Sequence, residues 1–187
     1  MLKLDSLRAT ILAAVPRLRE DPEQVIVMTG DDGRVVSTGT DSLSHELRYT
    51  ALVWILGLAE HPDTVIVPLL AWHKLQQQEL YADPAKTANA FAFTAQLLDD
   101  PQTIDLHLRL QLTERVLVRH DAATGAVTAA HHAPEPSPIG CADKPERWQL
   151  DLLHPDGERQ HLGSFDGPAL PRARAYLSAL GIDPGKP

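Results

Sequence analysis

Apolar and polar residues alternate along residues 104–118, and this is the most informative pattern in the chain. Every even position is aliphatic except Glu114, and the odd positions up to Arg115 are charged or polar. Side chains of a strand point alternately to its two faces, so the pattern predicts a strand with one apolar face and one charged face. The strand is unusually long, since most strands have about five or six residues.

Residues 45–58 predict a second long strand, whose outer face changes character half-way along. The inner face carries mainly apolar residues: Leu47, Tyr49, Ala51, Val53 and Ile55. The outer face is polar at Glu46, Arg48 and Thr50 and becomes apolar at Leu52 and Trp54. We therefore expect a helix or a neighbouring subunit to cover the apolar half of the outer face.

Two amphipathic helices are predicted where apolar residues recur at three- and four-residue steps. The first contains Leu4, Leu7, Ile11, Val15 and Leu18. Asp5 or Ser6 is expected to cap its start, and Pro16 to kink or end it. The second follows the polar residues 60–63 and extends to about residue 80, with Leu69, Trp72 and Leu75 facing inward. Because Pro68 cannot donate a backbone hydrogen bond, either its first turn is irregular or regular helix begins near Val67.

Shorter strands complete the first part of the chain. Residues 24–28 and 34–38 flank a turn at Gly30 and Gly33, which predicts a β-hairpin. Residues 89–98 predict a strand that forms an antiparallel hairpin with residues 104–118. One side of that strand carries Phe91, Phe93, Ala95 and Leu97.

The order of these elements predicts an α+β fold. We expect residues 1–130 to form a largely antiparallel or mixed sheet that two helices cover on one face. Residues 131–146 are rich in proline and predict a stiff, extended linker. Residues 147–187 predict an appendage: a small β-hairpin around residues 154–157, then an amphipathic helix from Pro168 to Leu180. The appendage is too small to hold a core alone, so it must dock on the main domain or on a partner.

Composition narrows the class of protein. The chain has 187 residues, 43% hydrophobic and 22% charged, which is typical of a globular protein. A net charge of −8 disfavours nucleic-acid or acidic-membrane binding, because phosphates are bound by clustered Lys and Arg. Cys141 is the single cysteine, so no internal disulfide is possible, and the chain suits a reducing cytoplasm. We expect neither a signal peptide nor a membrane span.

The residues whose side chains could act in catalysis or bind a metal do not form a recognisable catalytic or metal-binding motif. His131 and His132, with His120 and His154, are best interpreted as solvated loop histidines, and His107 as a surface histidine. Cys141 has no positioned base, so an incidental thiol is expected. The carboxylates of Asp31, Asp32, Asp99 and Asp100 lie in predicted turns. Gly30 and Gly33 do not form a phosphate loop, and Tyr49 and Trp72 are expected in the core. No cofactor is predicted.

Three stretches together resemble a known family: residues 42–50 (SLSHELRYT), 65–72 (VIVPLLAW) and 112–116 (LTERV). With the opening MLK and residues 5–8 (DSLR), they resemble the tail completion protein R family of temperate contractile-tailed phages. The resemblance covers residues 1–118. His73 stands where an aliphatic residue is expected, so that part of the helix would be less deeply buried. The helix after residue 168 looks like an addition to the family pattern.

The resemblance implies a non-enzymatic structural role in virion assembly. Such a protein would cap the tail tube and sheath and prepare the tail for joining to head–tail connector proteins. Tail-terminating proteins of this kind resemble ring-forming subunits, so the resemblance implies that this protein forms a ring, with a hexamer as the working state. The implied location is the host bacterial cytoplasm during assembly and then the virion tail.

Charged residues on the two long strands are candidates for the subunit or partner interface: Glu46, Arg48, Arg109, Glu114 and Arg115. Glu46 would pair with Arg48, and Glu114 with Arg115. The alternative is that they are solvated surface charges. An adaptor or immunity-type binding protein remains the alternative class, and an enzyme of unknown activity is less favoured.

Overall fold

The computed structural model describes residues 1–37, 39, 41–97, 102–131 and 146–167. The chain divides into two compact units, Met1–Pro134 and Glu135–Pro187. The predicted proline-rich linker, apart from its first residue and Glu146, and the predicted helix after residue 168 lie outside the described residues.

Five α-helices, one short 3₁₀ helix (Pro22–Gln24) and eight strands are described. The α-helices are α1 (Leu2–Ala14), α2 (Arg17–Glu20), α3 (Asp63–Gln76), α4 (Gln78–Tyr81) and α5 (Pro84–Thr87). The strands are β1 (Val25–Thr29), β2 (Arg34–Ser37), β3 (His45–Leu58), β4 (Phe91–Leu97), β5 (Ile104–His120), β6 (Val127–His131), β7 (Glu146–Leu153) and β8 (Arg159–Gly167).

The two long strands form the centre of a six-stranded antiparallel sheet in the first unit. β3 pairs with β5 from His45 opposite Val116 to Leu58 opposite Ile104. β1 and β2 lie along the other side of β3, and β4 and β6 lie along the other side of β5. The prediction of an α+β fold built on a largely antiparallel sheet is confirmed.

The predicted hairpin of residues 24–38 is wrong. β1 and β2 do not pair with each other but follow one another along the same edge of β3. The connection between them is held to β3 at Thr50: Gly30 N donates to Thr50 O (2.7 Å), and Asp32 accepts from Thr50 N (3.1 Å) and Thr50 Oγ1 (2.6 Å). These bonds also lower the pKa of Asp32. A long β3 offers both short strands a partner, whereas a hairpin would leave half of that edge unpaired.

The hydrophobic core lies between one face of this sheet and the helices α1 and α3. It contains Leu7 and Ile11 from α1, Leu69 and Trp72 from α3, and the aliphatic face of β5. The indole Nε1 of Trp72 donates to Ser6 Oγ at 3.0 Å and links the two helices. This arrangement confirms the predicted cover of one face by two helices.

The structure differs from the predicted helix ends in two places. α1 begins at Leu2, so Asp5 and Ser6 lie within it and do not cap it. α3 begins at Asp63 and includes Pro68, which is buried. Its first turn is regular, with Val65 N and Ile66 N both bonded to Pro62 O. Pro68 removes one donor near the helix start, and burial of its ring in the core offsets that loss.

Two features at the far side of β5 also differ from the prediction. β6 has no strong alternating pattern and was not predicted; it is a strand because β5 extends to His120 and offers it a partner. β4 pairs with β5 as predicted, but Phe93 and Leu97 are 62% and 77% exposed. Their side of the sheet extends beyond the reach of the covering helices.

The second unit contains the predicted hairpin of β7 and β8. Gly157 adopts a positive φ of 88° in the turn, a conformation that favours glycine. Trp148 and Phe165 are in edge contact, with ring centroids 5.7 Å apart, and Phe165 is buried. The hairpin therefore has one apolar side.

Candidate interaction surface

The sheet face opposite α1 and α3 is the main candidate surface, and we call it the open face. It includes alternate residues of five strands, among them Ile26, Met28, Arg34, Val36, Glu46, Arg48, Leu52, Trp54, Thr94, His107, Arg109 and Arg115. Cross-strand pairs of Arg48 with Arg34, Leu52 with Arg109 and Trp54 with His107 set its layout. One end is therefore charged and the other is largely apolar.

The apolar end of the open face is partly exposed. Trp54 and Leu56 each keep 38% of their surface accessible, as does Met28 on the neighbouring strand. The Trp54 ring lies against the ring of His107, with centroids 5.5 Å apart. No described helix of the first unit packs there, since α1 and α3 cover the other face. Cover by a neighbouring subunit remains a proposal.

Four of the five predicted interface residues lie on the open face. Glu46 and Arg48 form an ion pair within one strand, with Nη2 2.7 Å from Oε2, and Arg48 is exposed. Arg109 and Arg115 are exposed on β5, and Arg115 stands opposite Glu46 in the register. A partly exposed ion pair such as Glu46–Arg48 contributes only about 0–1 kcal/mol to folding.

Glu114 does not belong to this surface, and its predicted pairing with Arg115 does not occur on one face. Its side chain is 3% exposed and points to the covered side of the sheet. The carboxylate accepts a hydrogen bond from the Tyr49 hydroxyl, and Lys3 N and His131 Nδ1 lie 3.4 and 3.1 Å from its oxygens. Neighbouring residues on a strand point to opposite faces, which separates Glu114 from Arg115.

Lys3 ties the start of α1 to this buried carboxylate and to the sheet. Its Nζ donates to Gln76 O at 2.8 Å and to Thr113 O at 2.7 Å. Burial lowers the pKa of Lys3, and the carboxylates of Glu79 and Glu114 oppose that shift. The ammonium lies at the carboxyl end of α3, where a positive charge is favoured. We call Lys3, Tyr49, His73, Gln77 and Glu114 the buried polar cluster.

His73 is fully buried, contrary to the expectation that a histidine there would mark a shallow part of the helix. Its Nε2 donates to Gln111 O at 2.8 Å, since a carbonyl oxygen can only accept. The Tyr81 hydroxyl then donates to Nδ1 at 2.7 Å. Both ring nitrogens are therefore bonded, in an arrangement that suits a neutral ring. Burial lowers the pKa of His73, and the nearby charge of Lys3 acts in the same direction.

The neutral His73 predicts a stability that falls in acid. Its pKa in the folded chain lies below the unfolded value of about 6.5, so the unfolded chain takes up the proton first as the pH falls. The free energy of unfolding from urea melts should therefore drop between about pH 8 and pH 5.5. His73→Leu should flatten that drop and cost about 1–3 kcal/mol at pH 8, because Tyr81 and Gln111 lose a partner. His120→Gln, a change at an exposed histidine, is the matched control. Equal slopes for the wild type, the control and His73→Leu would contradict the assignment.

The buried polar cluster was not predicted as a unit, although two signals pointed to it. Glu114 interrupts the apolar positions of its strand, and His73 lies beside inward-facing Trp72. Both are polar residues in apolar patterns, which is how a buried hydrogen-bonded network appears in a sequence. The cluster joins elements far apart in the chain, and the described contacts give it a positioning role.

The remaining chemical candidates are dispersed. His131 contacts Glu114, and His154 Nε2 lies 3.2 Å from Gln160 Oε1. His132, Cys141, Asp99 and Asp100 lie outside the described residues. Within the described ranges no group of three or more His, Cys, Asp or Glu residues is placed to hold a metal ion. No helix in those ranges is long and apolar enough to cross a membrane.

Comparison with known proteins agrees with the resemblance seen in the motifs. The sequence pattern of the P2 phage tail completion protein R family matches residues 1–136. Tail completion protein R of Escherichia phage P2 is 34% identical over 139 residues, which cover 74% of this chain and 88% of the phage protein. No solved structure gave a significant match.

These matches place the chain among the structural proteins of phage tails. It belongs to the P2 phage tail completion protein R family. The matched residues coincide closely with the first compact unit, Met1–Pro134. The sheet, its two covering helices and the open face are therefore the family part of the molecule.

Proposed function

We propose that this protein completes a phage tail by forming a homo-oligomeric ring, a hexamer, at the end of the tail tube and sheath. The ring then offers a surface to the head–tail connector proteins. Family membership across the whole first unit is the observation that carries this proposal. It disfavours the adaptor or immunity-type alternative and an enzymatic role. Assembly takes place in the host bacterial cytoplasm, and the protein stays in the virion tail.

The exposed apolar residues support self-assembly. A closed ring needs two different, mutually complementary surfaces on each copy. This unit exposes Met28 on β1 at one edge of the sheet, and Phe93 and Leu97 on β4 at the opposite edge. Surfaces at opposite edges suit a head-to-tail arrangement, in which each copy uses both.

The charges of the open face support recognition of the tail proteins. Arg34, Arg48, Arg109 and Arg115 give this face an excess of arginine in a chain whose net charge is −8. We assign to Glu46, Arg48, Arg109 and Arg115 the contacts with a neighbouring copy or a tail protein. Charges at the rim of an interface mainly set its orientation and association rate.

Deletion of this gene from the phage or prophage that carries it should leave tails that do not join heads. Adding the purified protein to such a lysate should restore infectious particles, and electron microscopy should show a ring at the tail end. The double variant Arg48→Glu with Arg109→Glu should fail to restore them while keeping its unfolding temperature, because both side chains are exposed. Arg147→Glu, an equally exposed change on the second unit, is the matched control. Normal particle yields from the deletion lysate would contradict the proposed function.

A further inference from the structure

Within the part of the chain that the structure describes, β4 forms an edge of the sheet. Among the described strands it pairs with β5 alone, and its register runs from Phe91 to Leu97 without a bulge. Its sequence, FAFTAQL, contains no charge, proline or glycine. Free edges expose unpaired N–H and C=O groups, and proteins normally protect them with charged residues, prolines or bulges. With Phe93 and Leu97 also exposed, β4 has the features of a strand that pairs with another chain.

β1, on the opposite edge of the sheet, has matching properties. In the described chain its single strand partner is β3, again without a bulge. Its residues, VIVMT, are uncharged. The following strand on this edge, β2, begins with Arg34, so the neutral part of the edge is confined to β1. The molecule therefore presents one regular, neutral edge strand on each side.

Strand direction makes these two edges compatible. The order β1–β3–β5–β4 is antiparallel at every step, so β1 and β4 run in opposite directions. A second copy, rotated about an axis along the strands, would bring its β1 antiparallel to β4 of the first. Antiparallel pairing is the more stable of the two ladder types.

We propose that β4 of one copy pairs with β1 of the next copy, so that the sheets form one continuous ladder around the ring. This inference rests on the proposed function, because it specifies how the ring is joined. Pairing two different edges is head-to-tail, which allows a ring, whereas β4 with β4 would stop at a dimer. Closure leaves no β1 or β4 edge exposed. The open face then lines one side of the ring wall, and α1 and α3 lie on the other.

Cross-linking between two single-cysteine variants tests this pairing. Thr94 on β4 and Met28 on β1 both lie on the open face, opposite His107 and Leu52 respectively. Full-length Thr94→Cys and Met28→Cys proteins, each also carrying Cys141→Ser, are treated with a short flexible bismaleimide. Adjacent strands lie only about 4.8 Å apart, so a flexible linker tolerates a shift in register. The reaction is run in solution and with tails isolated from the deletion lysate.

The expected product is a mixed dimer of the two variants, with little product from either variant alone. A protein carrying both cysteines should give a ladder of products up to the full ring. A dimer of Thr94→Cys with itself would show β4–β4 pairing and overturn the proposal, as would a product with a tail protein. A ring without any cross-link would overturn the pairing but leave the proposed function intact. Absence of both ring and tail completion would overturn both.

A charge placed on the edge gives an independent readout. Phe93→Lys should abolish the ring and keep the unfolding temperature, because Phe93 is already exposed. Leu153→Lys, at a similarly exposed residue of the second unit, should keep the ring. Rings of normal mass from Phe93→Lys would overturn the proposed pairing.

Discussion

Leu108→Asp is expected to unfold the first unit. Leu108 is fully buried in the middle of β5, between Val53 on one neighbouring strand and Phe93 on the other. Among the core residues that the structure describes, no cation would lie beside this aspartate, so the change buries an unpaired carboxyl and removes an aliphatic side chain. Such changes cost at least about 4–5 kcal/mol, which is comparable to the whole stability of many domains.

The matched control is Arg109→Ala, one residue along the same strand. Arg109 is exposed on the open face, so its loss should change the free energy of unfolding by less than about 0.5 kcal/mol. Thermal melts followed by circular dichroism compare the two variants. Equal losses for both would mean that β5 is buried on both faces, and would contradict the described register.

Glu114→Ala should have the second largest effect on stability. It removes the acceptor of the buried Tyr49 hydroxyl and of Lys3 N, and it takes the carboxylate away from His131. It also leaves the half-buried Lys3 ammonium with one neighbouring carboxylate fewer. Removal of one partner from a buried charged network costs about 3–5 kcal/mol. Urea unfolding at neutral pH measures the change.

Glu114→Gln separates the hydrogen bonds from the charge. The amide keeps an acceptor for Tyr49 and a side chain of the same size, so its cost should be clearly smaller than that of Glu114→Ala. Neither variant changes the open face, so neither should alter ring contacts while the protein stays folded. If Glu114→Ala were as stable as the wild type, the buried polar cluster would have no role in holding α1 to the sheet.

The hydrophobic core is well separated from the candidate interface on the open face. The core lies on one side of β3 and β5, and the charges assigned to assembly lie on the other. Changes on the open face should therefore affect assembly without unfolding, whereas changes such as Leu108→Asp act through folding. This separation is what makes the proposed interface variants informative.

The sequence by itself determined the features that depend on local periodicity. The alternation along residues 104–118 and 45–58 set both long strands and the faces they bury, since side-chain direction on a strand depends on the backbone alone. The hairpin around Gly157 and the end of α1 before Pro16 followed from turn and proline geometry. The family motifs were also local, and the comparisons confirmed the family that they indicated.

Only the tertiary structure decided which segments meet. The sequence predicts that β1 and β2 pair with each other as a hairpin. In the structure both pair with the long strand β3 instead. The sequence predicts Glu114 as a surface charge. In the structure its carboxylate is buried and accepts hydrogen bonds from Lys3 N and the Tyr49 hydroxyl, which are distant along the chain. The alternating pattern says which face a residue occupies, but burial depends on what packs over that face. That is also why Phe93, on the inward side of its strand, stays exposed where the helices end.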